Sequence, residues 1–174
     1  MNIVNKKATA LCVLVCGGLF SSASQAVNID ITGKVVASPC VVNGNNESLA
    51  VNLGDNIQAS TLEANGSSTD WVATTLTLTS CPASTTSFSV AFAGTPDGTD
   101  PNYYSNTGTA TNLKLELTDD SADVKYKNGA SLTNVAIPST THAYDLKLRA
   151  RAVSKGSVMP GTIVGQVQAT FTYQ

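Results

Sequence analysis

From residue 27 onward, apolar and polar residues alternate with a period of two, and no stretch repeats with the 3.6-residue period of an amphipathic helix. The clearest case is residues 143–153. There Tyr144, Leu146, Leu148, Ala150 and Ala152 share one face, and Asp145, Lys147, Arg149 and Arg151 share the other. Such a strand lies with one face on a core and one in water. The same rule predicts strands at residues 49–53, 71–79, 88–92, 113–117 and 162–173. In the last, Ile163, Gly165, Val167, Ala169, Phe171 and Tyr173 alternate with Thr162, Val164, Gln166, Gln168, Thr170 and Thr172. A further strand pattern, VNIDITGKVV at residues 27–36, sets Val27, Ile29, Ile31 and Val35 on one side. Turn-forming residues at 43–46, 66–68, 96–101 and 127–129 separate these runs. Strands spaced at roughly ten residues predict an all-β sandwich of immunoglobulin-like architecture.

The first 26 residues do not fit this pattern. Lys6 and Lys7 precede an uncharged run at residues 8–20, which gives way to the small-residue stretch 21–26. This is the layout of a secretory signal peptide, with cleavage after Ala26 or Ala23. The apolar run is too short for the roughly 20 residues that a membrane-spanning helix needs. Cys12 and Cys16 fall inside it, but Leu11 and Val15 stand where a lipidation site wants a small residue, so both leave with the signal. No membrane span is expected in the mature chain.

Removing the signal leaves Cys40 and Cys81, and in an exported protein two cysteines are expected to form one disulfide. Closing a loop of about 40 residues contributes roughly 4 kcal/mol in the chain-entropy model. The remaining chain carries eight basic against twelve acidic residues. It has no basic run and no aromatic-interleaved patch, so a nucleic-acid partner is not expected. With 42% hydrophobic and 13% charged residues in 174, the chain has the composition of one compact domain.

Candidates for chemistry are weak. His142 is the one histidine, and no G-x-S-x-G turn or other nucleophile motif accompanies it. The groups Asp97/Asp100 and Asp119/Asp120/Asp123 lack the order of a calcium loop and read as solvated turns. Asn46-Glu47-Ser48 and Asn65-Gly66-Ser67 fit a glycosylation sequon, which identifies nothing alone. Trp71 reads as a core residue, and Tyr103 and Tyr104 are too few to define a sugar site. No enzyme activity, cofactor or metal is expected.

Several segments taken together resemble the pilins of the chaperone-usher pathway, and most closely the minor tip-fibrillum adaptor subunits of type 1 fimbriae. They are GKVVA with Pro39-Cys40, LTLTSCP at 76–82, Phe92-Ala93-Gly94, Tyr103-Tyr104 followed by NLKLEL at 112–117, and the ending. In that family a glycine stands fourteenth from the end and a tyrosine next to last, as Gly161 and Tyr173 do here. The resemblance implies an incomplete immunoglobulin-like β-sandwich lacking its last strand, completed by donor-strand exchange. It implies a donor extension at 27–37, with Val27, Ile29, Ile31, Gly33 and Val35 as the inserted face, and a pilin domain at 38–174. The receiving strand carries Gly161, Ile163, Val167, Phe171 and Tyr173. Gly33 is expected to sit where the receiving groove is shallow, with a bulge as the alternative. Implied partners are a periplasmic chaperone, an outer-membrane usher, and neighbouring pilin subunits or an adhesin. The implied location is a fimbrium on the bacterial surface, reached through the periplasm. A major rod subunit, or a secreted carbohydrate-binding β-sandwich module, are the alternatives.

Overall fold

The computed structural model describes residues 27–121 and 124–174. The signal segment, Cys12, Cys16 and Asp123 lie outside the described residues. The chain falls into a unit ending at Lys34 and a second unit, Val35–Gln174.

In the second unit eight strands form two antiparallel sheets. They are β1 (Val41–Val42), β2 (Val72–Thr79), β3 (Ser87–Gly94), β4 (Tyr104–Ser105), β5 (Thr111–Asp119), β6 (Ser131–Ala136), β7 (Tyr144–Met159) and β8 (Val167–Tyr173). One sheet has the order β1-β2-β7-β5-β4, and the other has the order β6-β3-β8. Alternation explains the centre of each sheet. Leu76 and Leu78 on β2, Phe88, Val90 and Phe92 on β3, and Leu146 and Leu148 on β7 are buried and pack together. A second apolar cluster holds Leu62, Ala110, Leu113, Ala152 and Val158. The disulfide between Cys40 and Cys81 is formed and ties the chain ahead of β1 to the end of β2.

Residues 27–36, expected to pair in the sheet of another molecule, form no strand in this one, with Ile31 91% and Val35 99% exposed, and elsewhere the structure corrects several expectations. A lone strand has neither a ladder nor a core to hold it. Residues 49–53 also join no ladder, although Val51 and Leu53 are half-buried and Asn52 is exposed as alternation requires. The final strand starts at Val167, not at residue 162. β7 runs on to Met159, beyond the expected end at 153, and β6 was not anticipated because its sequence SLTNVA alternates weakly. Trp71 is half-buried outside the core, with the guanidinium carbons of Arg149 and Arg151 at 4.4 and 4.1 Å from its ring centroid. Asp97 is not solvated. It is buried, accepts from Thr99 Oγ1 at 2.6 Å and pairs with Lys155 Nζ at 2.8 Å.

Candidate functional site: an open groove along the last strand

β8 pairs with β3 from Phe88↔Tyr173 to Gly94↔Val167, and it is an edge of its sheet. Half of its backbone N–H and C=O groups therefore point away from any strand partner. Its side chains tell the same story. On β3 the inward residues Phe88, Val90 and Phe92 are fully buried, whereas on β8 the inward Val167, Ala169, Phe171 and Tyr173 are each only half-buried. The residues of β8 that alternation assigns to the core are present, but among the described residues the cover over them is not.

A groove of about 1780 Å³ runs alongside. Val167, Ala169 and Phe171 of β8 line it, with Leu49, Val51 and Leu53 of the unpaired segment. Among the described residues, 47–57 make no backbone-backbone hydrogen bond. The groove thus lies between a sheet edge and a second segment with strand-like alternation and no ladder. Both apolar clusters contribute to its floor, through Leu76, Phe92 and Leu148 on one side and Leu62, Leu113 and Val158 on the other. A closed sandwich has one contiguous core; here the groove intervenes between two.

The sequence-predicted receiving residues fall along this groove. Ile163, Val167, Phe171 and Gly161 line it, and Tyr173 continues the same face of β8. Burial raises the pKa of the Tyr173 phenol, against an opposing contribution from the backbone of Cys40. Gly161 has a structural reason: a Cβ there would overlap the backbone of Thr109 and Ala110. The expected donor residues Val27, Ile29 and Ile31 are exposed in their own short unit, and Val35 is exposed at the start of the second. A Cβ built at Gly33 meets nothing within 4 Å.

Sequence reasoning missed the polar residues that shape the surroundings. Alternation with Leu113, Leu115 and Leu117 would set Glu116 on the wet face of its strand, yet it is 3% exposed, capped by Lys125 at 2.6 Å and Arg151 at 2.7 Å. Burial alone would raise its pKa, but the hydrogen bonds and charges of Lys125 and Arg151 outweigh that and lower it. Tyr104 is buried and donates to Tyr126 O at 2.7 Å, and burial pushes its pKa up to about 12. His142 stands in a left-handed turn and its carbonyl accepts from Cys81 N, a local structural role. Among the described residues no group of three or more His, Cys, Asp or Glu could hold a metal, and no helix is long and apolar enough to cross a membrane.

Residues 29–174 match the family model described as Fimbrial protein. The chain is similar to the fimbrial-like protein YdeR of Escherichia coli (strain K12), 38% identical over 90% of this chain and 91% of YdeR. It is also 38% identical to Protein FimG of the same organism, over 89% of this chain and 90% of FimG. Among solved structures, the P pilus rod subunit PapA superposes with a TM-score of 0.62 at 17% identity, over 84% of this chain and all of that one. At that identity the likeness concerns the fold, which is the pilus immunoglobulin-like sandwich.

Proposed function

The chain belongs to the fimbrial protein family, and from that premise we propose that it is a structural minor subunit, an adaptor, which polymerises by receiving a β-strand from a neighbour and donating its own. The observation that carries this reading is the half-exposed apolar face of β8 beside an unpaired edge. Val27, Ile29, Ile31, Gly33 and Val35 form the donated face. Gly161, Ile163, Val167, Phe171 and Tyr173 belong to the receiving one. The donor extension covers residues 27–37 and the pilin domain 38–174, with the signal segment 1–26 removed on export.

Magnitudes support an assembly role over a stable monomer. Burying Val27, Ile29, Ile31 and Val35 contributes roughly 1.5 to 3 kcal/mol each. Each new ladder hydrogen bond contributes about 0.5 to 1.5 kcal/mol. Ordering about ten residues costs on the order of 10 to 20 kcal/mol. The inserted strand gains little by itself. The surplus comes from the acceptor, whose two apolar clusters become one core and whose free edge is covered. A subunit in this state needs a temporary strand before assembly, a role that suits a periplasmic chaperone, with the exchange taking place at an outer-membrane usher. Its place is in a surface fimbrium, between other pilin subunits or behind an adhesin, and no catalytic step is involved.

The test is thermal unfolding of the exported chain with and without a synthetic peptide of residues 27–36. Added peptide raises Tm and slows unfolding. A peptide of the same length with Ile29 and Ile31 replaced by Asp does not. Equal unfolding with and without the peptide removes the strand-accepting reading.

A further inference from the structure

One end of the groove is held by a polar clasp that no family likeness assigns. Residues 162–164, just before β8, leave the three-stranded sheet and bond to residues 106–110, which connect β4 to β5 in the other sheet. Asn106 is the centre of this junction. Its Oδ1 accepts from Val164 N at 2.8 Å and Gly108 N at 3.1 Å. Its Nδ2 donates to Ala110 O at 2.7 Å and to Thr162 O at 3.3 Å. All four hydrogen-bonding positions of one side-chain amide are used. Around it Thr109 N donates to Thr162 Oγ1 at 3.0 Å, and Thr162 N donates to Thr109 Oγ1 at 2.8 Å. Thr107 N donates to Val164 O at 2.8 Å.

Two glycines allow the approach. A Cβ at Gly108 would overlap the carbonyl of Thr162, and one at Gly161 would overlap the backbone of Ala110. Neither glycine has a positive φ, so the requirement is space between backbones and not backbone conformation. Thr107, Ala110, Thr162 and Ile163 line the groove at this end.

We propose that Asn106, with Gly108 and Gly161, is a positioning element for the incoming strand: it pins the start of the last segment to the five-stranded sheet and so keeps the groove open at a fixed width before a strand arrives. The physical need is plain. An uncovered apolar groove gains by closing on itself, as half-buried side chains on the two sheets come together. A hydrogen-bonded junction that fixes one end of β8 to the opposite sheet opposes that closure. It also ends the free edge of β8 at a defined residue, which limits the register of an inserted strand.

This inference rests on the strand-accepting reading of the groove. The experiment compares the exported wild-type chain with Asn106→Leu, Asn106→Asp and Thr109→Ala, using the residue 27–36 peptide as probe. Peptide affinity, association rate and amide hydrogen exchange are followed. In Asn106→Leu the Val164 and Gly108 amides exchange faster while those of β3 keep wild-type protection, and the peptide binds about tenfold more weakly, the equivalent of one to two lost hydrogen bonds. Asn106→Asp keeps both acceptor contacts but sets a carboxylate oxygen against the Ala110 and Thr162 carbonyls, so it too loosens the junction, and it serves if the leucine variant does not fold. Thr109→Ala changes in the same direction. Wild-type peptide binding in a variant whose Val164 amide has become unprotected overturns the clasp. Failure of the wild-type chain to bind the peptide is a different result, which overturns the groove reading on which the clasp depends.

Discussion

Gly33 and Gly161 look alike in the sequence and differ in the fold. A Cβ at Gly161 collides with the Thr109-Ala110 backbone, whereas a Cβ at Gly33 meets nothing. The free chain therefore needs Gly161 to close its own junction and does not need Gly33. Gly33→Leu is expected to leave folding and chaperone binding intact and to slow strand exchange, read as the rate of subunit transfer from a purified chaperone complex. A normal transfer rate would show that Gly33 has no fitting role in the groove. Tyr104 makes a second residue-scale case, because its hydroxyl reaches the Tyr126 carbonyl from within the core. Tyr104→Phe leaves that buried carbonyl without this donor and is expected to cost about 1 to 2 kcal/mol in urea unfolding. Tyr104 could be seen in the sequence only as one of two adjacent aromatics. Which tyrosine turned inward depended on its register with Leu115.

Among elements, the loop at 96–103 is organised by one buried carboxylate. Asp97 accepts from the backbone N–H of Thr99 and Asp100, from the Thr99 hydroxyl and from Lys155. Burial acts to raise its pKa, but the bonds from Lys155 and Thr99 prevail and bring it from 3.8 down to about 2. A folded-state pKa below the unfolded one gives stability that is present above the unfolded value and is lost as pH falls from about 4 through about 2. Asp97→Asn should be less stable than wild type at neutral pH and should lose less on acidification across that window, measured by urea unfolding between neutral pH and pH 2. A parallel acid limb in the two proteins would count against Asp97 as its source. In the sequence this aspartate was one of several in a turn-rich stretch. Its partner Lys155 stands 58 positions away, and only the fold brings the two together.

At the scale of the whole molecule, the disulfide and the groove act on opposite ends of the same problem. Cys40–Cys81 ties the chain just ahead of β1 to the end of β2, so residue 40 is held by a covalent tether and is not a frayed end. Replacing both cysteines by serine is expected to destabilise the chain by roughly 4 kcal/mol, and a peptide filling the groove should recover part of the loss by mass action. The pair of measurements is Tm with and without the peptide in wild type and in the double variant. A double variant as stable as wild type would mean that the loop is already ordered in the unfolded chain.

Legible in the chain alone are the class of fold, the core faces of β2, β3, β7 and β8, the pairing of Cys40 with Cys81, and the resemblance of Gly161 and Tyr173 to a pilin ending. The fold class and core faces follow from local period, the disulfide from the two cysteines beyond the expected signal segment, and the ending from likeness to a family; none of these needs long-range information. Long-range packing alone settles that residues 49–53 stay out of a ladder, that the last strand begins at Val167, and that Glu116 and Asp97 are buried beneath cations. It also settles that Asn106 joins the two sheets. Strand identity depends on having a neighbour, and burial of a charge depends on which distant cation arrives. Alternation marks which face seeks a core, but it cannot tell whether the chain supplies the strand that would cover it. In this protein that cover is missing from the described fold, which leaves the apolar face of β8 half-exposed at the edge of its sheet.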